Sequence, residues 1–530
     1  MTEIARIPHP LSDTAPSASC SQVWLVGAGP GDPELLTRKA WRLLQQADLV
    51  VYDKLVSAAI LAEIPSSTER LFVGKELGHH SLPQQEINAL LLREARRGRQ
   101  VVRLKGGDPF IFGRGGEEIQ ELAIEGVPFE VVPGVTSASA AATYTGIPIT
   151  HREYTASVAF VTGHEDPTKK FSSIDWQKLG TGAGTLVIYM GIKNLEDIVR
   201  QLVEGGRSAD TPVAVVRWAS TPRQRSVVGT LSTIAGLVLA EGIKPPALII
   251  VGEVVQQRHR INWFETRPLF GKRIVVTRTR EQASELVQQL EEQGAECLEY
   301  PTIEIKELED YSEIDHALKQ LPDYDWLLLT SPNAVSFFFQ RLQKSGLDSR
   351  ALAGRRIAAV GKATDAALKE FGLAADLLPQ HFTGEGLAEA LLATGVTGKH
   401  FLLPQAQQAS RLLPEMLAGA GAEISIIPVY RTVPATMYGE ALQEELQAGA
   451  VDLLTFTSSS TVSNCFALLG CKDSQELQQL LGTTLVAAIG PVTAATLQEY
   501  GINCHIQPQE HTISGMVNAI VAYFSATKAE

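Results

Sequence analysis

Residues 102–118 read VRLKGGDPFIFGRGGEE, and this stretch decides the fold. The apolar residues Val101, Val102 and Leu104 form a short strand that runs into Gly106-Gly107. Asp108-Pro109 fixes the exit of the turn, Phe110-Ile111-Phe112 follows as an apolar segment, and Gly115-Gly116 closes it. Glycine serves where the backbone must take positive φ or admit a ligand at close range. A ligand lying along this loop is one reading; an ordinary glycine-rich βα turn is the other, and these residues alone leave both open. Three cations at the loop, Arg103, Lys105 and Arg114, are candidates to bind an anionic substrate. Their upstream neighbours Arg93, Arg96, Arg97 and Arg99 read as a solvated helix end.

Working outward, residues 23–26 are an apolar strand, residues 27–32 a Gly-Ala-Gly-Pro-Gly-Asp turn, and a helix begins near Pro33 with Leu35, Leu36, Ala40, Leu43 and Leu44 at helical spacing. A second strand, 49–52, ends at Asp53. In open α/β sheets, ligands and catalytic groups lie at the carboxyl ends of such strands, which is where Asp53 stands. The turn is not a dinucleotide fingerprint, because Asp32 occupies the sixth position and Pro30 intrudes. A buried strand at 129–132 leads through Pro133-Gly134 into the small residues Thr136 to Ala142, and further strands are expected at 158–162, 186–190, 213–218 and 247–251. The pattern is two α/β subdomains, about 22–134 and 135–255.

Composition bounds the rest. At 530 residues, the chain is long enough for roughly three or four domains. A net charge of −13 argues against general nucleic-acid binding, since phosphate contacts need a basic face. Cys20, Cys297, Cys465, Cys471 and Cys504 show no CxxC spacing and fit free thiols in a reducing cytoplasm. They combine with His79, His80, His151 and His164 into no zinc spacing, so no metal is expected. Residues 1–21 have prolines and hydroxyl residues but no apolar core, and read as a mobile tail rather than a signal peptide. No apolar run reaches the ~18 residues of a membrane span.

The ordered blocks VGAGPGD, VVYD, VGK, GGDPFIFGRGGEE, VVPGVTSASAAA, TLVIYMG and PALIIVG span residues 23 to about 255. Together they resemble the tetrapyrrole methylase family, and within it the uroporphyrinogen-III C-methyltransferases. The resemblance implies S-adenosylmethionine as methyl donor and a homodimer. It also implies a donor pocket lined by Pro30, Gly106, Gly107, Asp108, Ile111, Thr136, Ser137 and Met190, with Ala219, Pro246 and Ala247 matching less sharply. Asp53 matches the family's proton acceptor and Lys75 its proton donor. Read without the family, Asp53 is a capping acid after a strand and Lys75 a surface lysine. Methyl transfer to an electron-rich pyrrole carbon asks the protein for positioning, dryness and the handling of a proton.

Residues 256–270 carry charge, a proline and few periodic apolar positions, so they read as a linker, docked through Trp263, Phe264, Leu269 and Phe270. Beyond it lies an internal repeat. Residues 273–301 parallel 400–428, Thr330-Ser331 parallels Thr457-Ser458 at an offset of 127, and Gly361 parallels Gly490 at an offset of 129. Each half places hydroxyl or glycine turns at helix starts, and Ser331, Thr364, Thr457, Ser458 and Thr493 are candidates to bind a polyanion there. Plain N-capping is the alternative for each.

This half, about 269–524, is similar to uroporphyrinogen-III synthases. The likeness implies two α/β lobes joined by a two-stranded connection: 271–301 plus 429–528, and 302–428. A cleft between them would hold hydroxymethylbilane. Tyr430 matches a tyrosine that helps hydroxyl departure in that family; a packed aromatic is the alternative.

The whole reads as an α/β protein, a two-subdomain tetrapyrrole methylase fold followed by a duplicated, two-lobed α/β synthase-like domain. It is expected to make uroporphyrinogen III and methylate it to precorrin-2, feeding sirohaem or cobalamin. With about 22 residues ahead of the first strand, no oxidation and metal-insertion module is expected in this chain. Two alternatives stand: a methylase acting on a later corrin intermediate, and a C-terminal half that binds tetrapyrroles without catalysis.

Overall fold

Five short strands, β1 (Val23–Gly27), β2 (Leu49–Tyr52), β3 (Glu69–Phe72), β4 (Val101–Lys105) and β5 (Phe129–Val132), pair in parallel in the order β3-β2-β4-β1-β5. Central strands of a parallel sheet are covered on both faces and so are apolar almost throughout. Trp24, Val26, Val102 and Leu104 pack with Leu43 and Leu44 on one face. Val23 and Val101 pack with Leu91 and Leu122 on the other. The computed structural model describes residues 22–74, 82–164, 174–277, 280–435 and 438–527. The tail at 1–21 with Cys20, Lys75, His79 and His80 lie outside the described residues.

The carboxyl ends of β1, β4 and β5 meet largely through backbone, much of it glycine. Gly29 and Gly107 donate to each other's carbonyls at 3.1 and 2.7 Å, and Ala28 N donates to Lys105 O at 2.7 Å. A Cβ on Gly27 would lie 2.5 Å from Gly134 N and 2.7 Å from Gly107 O. Asp108 ties the arrangement, accepting from Phe110 N at 2.9 Å and Gly134 N at 3.2 Å.

The second sheet runs β6-β7-β10-β8-β9, with β6 (Val158–Thr162), β7 (Thr185–Tyr189), β8 (Pro212–Arg217), β9 (Arg225–Thr230) and β10 (Ala247–Val251). Only β6 and β7 are parallel; the other pairings are antiparallel. The helix Ser137–Thr145 lays Ala138, Ala140 and Ala141 on Val187, Ala214 and Ile250, small side chains that let helix and sheet approach closely. Strand β9 is not anticipated by the sequence reading, because an edge strand reading RSVVGT has no continuous apolar run.

The chain forms two compact units: one running to Lys272 with Leu290–Glu296 and Phe524–Glu530, the other Arg273–Gln289 with Cys297–Tyr523. The expected linker, 256–270, is therefore part of the first unit. Glu265, about one-seventh exposed, explains why: it accepts from Gln224 Nε2 at 2.7 Å and Ser226 Oγ at 2.9 Å, and pairs with Arg258. Arg258 Nη1 also donates to Thr145 O at 2.9 Å, and Trp263 Nε1 to Thr143 O at 3.0 Å. Gly146, in the left-handed region at φ 69°, leaves no room for a Cβ against Ile261 O.

In the second unit, β11 (Arg273–Val276), β12 (Glu296–Glu299), β13 (Ile303–Lys306), β14 (Trp326–Leu329), β15 (Arg356–Ala359), β16 (His400–Ala406), β17 (Glu423–Pro434), β18 (Leu453–Phe456) and β19 (Leu485–Ala488) make two sheets. Their orders are β12-β11-β18-β19 and β13-β17-β16-β14-β15. Apart from β13, the orders correspond one to one under the sequence repeat. The isolated bridges correspond too, Ala358 with Leu377 and Ala487 with Ile506. One boundary moves. Lobe two does not end at 428, because β17 continues to Pro434, pairing in parallel with β16 and then antiparallel with β13. Among the described residues, no helix is long and apolar enough to cross a membrane, and no group of three or more His, Cys, Asp or Glu could hold a metal ion.

Two substitutions check this account. Gly134→Ala, pressed against Gly107 O and Gly27 Cα, should destabilise the first unit by about 2 kcal/mol. Glu265→Ala leaves Arg258 without its carboxylate and should cost about 3 kcal/mol. Thermal melts of the full chain read both, and an unchanged first transition in either would refute the corresponding contact.

Candidate active site

Asp53 follows β2 directly. One carboxylate oxygen accepts from Leu55 N at 3.1 Å, the other from Arg103 Nη2 at 3.4 Å, and the side chain is 25% exposed. Its loop is seated on the glycine turn, since a Cβ on Gly106 would lie 2.6 Å from Leu55 Cβ and 3.1 Å from Leu55 O. Turn and acid are thus one surface.

Arg103 and Lys105 differ from their expected place. They are not presented on the loop: both lie on the β4 face covered by the helices Gln84–Arg96 and Gly115–Ile124, and both turn to the buried Glu118. Lys105 Nζ donates to Glu118 Oε1 at 2.8 Å, and Arg103 Nε lies 3.3 Å from Glu118 Oε2. Burial pulls the Lys105 ammonium below the usual lysine range; neighbouring Arg103 adds to the drop and Glu118 opposes it. Arg114 is the exposed cation of the three, left-handed at φ 57° and bidentate to Glu117 at 2.6 and 2.9 Å.

The candidate donor residues converge from separate elements. Gly107 stands against Ser137 N, Ile111 packs in one cluster with Tyr189 and Ala219, and Thr136 Oγ1 shares a hydrogen bond of 2.7 Å with Tyr189 OH. Burial raises the Tyr189 phenol above its usual range, which keeps its proton on. Met190 follows at φ 55° and half exposed. Gly31, beside Pro30, abuts Thr221, two residues past Ala219, and Ala247, which follows Pro246, pairs with Arg217. Sequence reasoning missed Tyr189, hidden in the apolar run TLVIY, and Glu118. It did not anticipate the left-handed backbone at Phe112, Met190, Trp218 and Ser220, whose strain gathers around this site, although Met190 itself is a candidate donor residue.

In the second unit Ser331 Oγ accepts from Ala334 N at 3.1 Å and Ser458 Oγ from Thr461 N at 3.3 Å, so both cap helices. Thr364 and Thr493 are buried and do not offer hydroxyls at the helix starts as expected; Thr457 is half-buried. Tyr430 is packed on Phe337 at a ring separation of 5.4 Å, with its hydroxyl 3.3 Å from Ser331 Oγ.

Comparison with known proteins identifies both parts of the chain. Residues 22–235 match Tetrapyrrole (Corrin/Porphyrin) Methylases and residues 284–518 match Uroporphyrinogen-III synthase HemD. The class is a tetrapyrrole methylase fused ahead of a uroporphyrinogen-III synthase, an enzyme with both kinds of domain in one chain. The porphyrin biosynthesis protein HemD of Ruminiclostridium josui is 39% identical over 499 residues, covering 94% of this chain and 97% of that one. The chain belongs to that family of porphyrin biosynthesis proteins. The siroheme synthase of Chromobacterium violaceum is 54% identical over 242 residues, 46% of this chain and 51% of its own length. A uroporphyrin-III C-methyl transferase from Thermus thermophilus, solved with S-adenosyl homocysteine, is 46% identical over 44% of this chain and 99% of its own, at a TM-score of 0.38.

Methylases of this family take their methyl group from S-adenosylmethionine. The residues present fit such a donor at Gly107, in the left-handed region at φ 70°, where an added Cβ would meet nothing nearer than Ser137 N at 3.8 Å and the turn is bare of side chains. Gly106→Ala should displace the Asp53 loop and lower the methylation rate about tenfold, a small misplacement being costly where geometry is the catalyst. Retained activity would show that the seat of Leu55 on Gly106 is immaterial.

Proposed function

We propose that the second unit closes hydroxymethylbilane to uroporphyrinogen III and that the first methylates it twice to precorrin-2. The observation that carries this reading is Asp53 at the carboxyl end of its strand, its loop seated on the glycine turn. S-adenosylmethionine, held by Pro30, Gly106 to Asp108, Ile111, Thr136, Ser137, Met190, Ala219, Pro246 and Ala247, supplies an electrophilic methyl group. As a ring carbon gains methyl, the tetrapyrrole must lose a proton, and the Asp53 carboxylate accepts it. Lys75 would supply the proton where a hydrogen shifts from ring nitrogen to carbon, a shift that leaves the sum at one proton lost for each methyl gained. Exposed Phe110 and Phe112 offer the macrocycle an apolar ledge, and Arg114 answers its carboxylates.

In the second unit Tyr430, hydrogen-bonded to Ser331, assists departure of the hydroxyl, and the helix starts after Ser331, Gly361, Ser458 and Gly490 gather the substrate's carboxylates on backbone N–H groups. The protein works in the cytoplasm, because an oxidation-prone intermediate is best made and used in a reducing compartment, and as a homodimer, as the methylase resemblance implies.

The test is an anaerobic incubation of the full chain with hydroxymethylbilane, with and without S-adenosylmethionine, with products resolved by isomer and mass. The III isomer should form without the donor and gain two methyl groups with it. Formation of only the spontaneous I isomer, while added uroporphyrinogen III is still methylated, would make the second unit a non-catalytic binding module. Asp53→Asn should lower methylation by about a hundredfold or more and leave ring closure untouched; full methylation by that variant would remove Asp53 from the reaction.

A further inference from the structure

Arg103 and Lys105 occupy alternate positions on β4, so both side chains project to one face of the sheet. Apart from Gln84 and Asn88 the surroundings on that face are apolar, with Val101, Leu91 and Leu122 in one cluster. Four charges are buried or half-buried here. Asp53 and Glu118 are the carboxylates, Arg103 and Lys105 the cations, and the set is neutral. The Asp53 side chain is 25% exposed, against 7% at Lys105, 3% at Arg103 and none at Glu118. The network therefore opens to solvent at one end, and that end is Asp53.

Stability does not account for such an arrangement. Desolvating ions costs several kcal/mol each, and well-packed apolar side chains of similar volume serve a core as well or better. Geometry suggests another use. Glu118 is fixed at Oε1 by Lys105 Nζ at 2.8 Å and Gln84 Nε2 at 3.1 Å, leaving Oε2 to face Arg103 Nε at 3.3 Å. Arg103 Nη1 donates to Leu104 O at 3.0 Å and Val51 O at 3.4 Å. Those carbonyls fix Nη1, the Nε edge faces the Glu118 carboxylate in charge contact without a hydrogen bond, and Nη2 is directed at Asp53 Oδ2 at 3.4 Å.

We propose that Glu118 and Lys105 are positioning residues for methylation, aiming the Arg103 guanidinium so that Asp53 is held as an oriented carboxylate toward the substrate. Glu118 balances one of the two buried cations. Without it Asp53 alone faces both and is drawn inward, away from the substrate. Lys105 in turn keeps Glu118 from taking Arg103 for itself. The inference rests on the reading of Asp53 as proton acceptor.

The experiment is steady-state methylation of uroporphyrinogen III by the full chain, with separate kcat and KM values, alongside calorimetric binding of S-adenosyl homocysteine. Glu118→Gln should lower kcat about tenfold, a part of what a general base contributes, with KM for S-adenosylmethionine and binding of the homocysteine unchanged. Glu118→Gln with Lys105→Met restores neutrality to the Asp53 and Arg103 pair and should recover about threefold in kcat over the single variant. Mere damage to packing predicts the opposite, a double variant worse than either single one. Glu118→Asp keeps the charge but cannot span Lys105 and Arg103 together; it covers the case in which the other variants do not fold, and should lower kcat severalfold. Parental kcat in Glu118→Gln or Glu118→Asp, or no recovery in a folded double variant, overturns the proposal. Asp53→Asn separates the two readings. If it abolishes methylation while the Glu118 variants are fully active, only the present inference fails; if it methylates normally, the acceptor reading fails with it.

Discussion

Backbone against backbone at Gly27, Gly107 and Gly134 is the contact on which the first unit depends. Side chains there would separate strands that have to converge, and the paired N–H and C=O groups of Gly29 and Gly107 would have no partners. Convergence also places the rest. Gly106 seats the loop carrying Asp53, Asp108 ties the third turn to the second, and Ser137 begins its helix beside Gly107. A site assembled from turns is only as accurate as the strands that end in them, and here the strands are locked at their ends.

The buried ions follow a different logic. Most of the unit is held by apolar packing, which tolerates substitution of similar volume. The Arg103, Lys105 and Glu118 cluster has no such tolerance, because removing one member leaves an uncompensated charge in the interior. Glu265 shows the same economy at another place. A single carboxylate gathers Gln224, Ser226 and Arg258 and so makes a connecting segment part of a domain.

Much of this architecture is legible in the sequence where one residue type has one use. Apolar runs give β1, β2, β4 and β5, and the paired glycine motifs give the turns between them. The duplication at offsets of 127 and 129 residues anticipates two sheets of matching order. Legibility fails where a residue's meaning depends on a distant partner. Arg103 and Lys105 look like loop cations until Glu118, on a helix that follows, is known to lie beneath them. Thr364 and Thr493 look like helix-start hydroxyls, yet they face inward. Tyr189 sits in a strand pattern that marks only burial, and its hydroxyl finds Thr136 through the fold. Strand β9 is polar enough to pass for a loop because its outer edge needs no apolar cover.

Strand β17 serves two pairings, and its partner β13 brings the chain into the sheet that β17 then leaves. Lobe two is thus a continuous insert within lobe one, complete between residues 303 and 434. Lobe one is split, with β11 and β12 made well over a hundred residues before β18, with which β11 must pair, and before β19. On the ribosome the inserted lobe has all its strands first, while the earlier half of its host waits with an open sheet edge for residues not yet synthesised. The order of translation and the order of closure run opposite to each other in this half of the chain, and the loop that must be closed last is the longest.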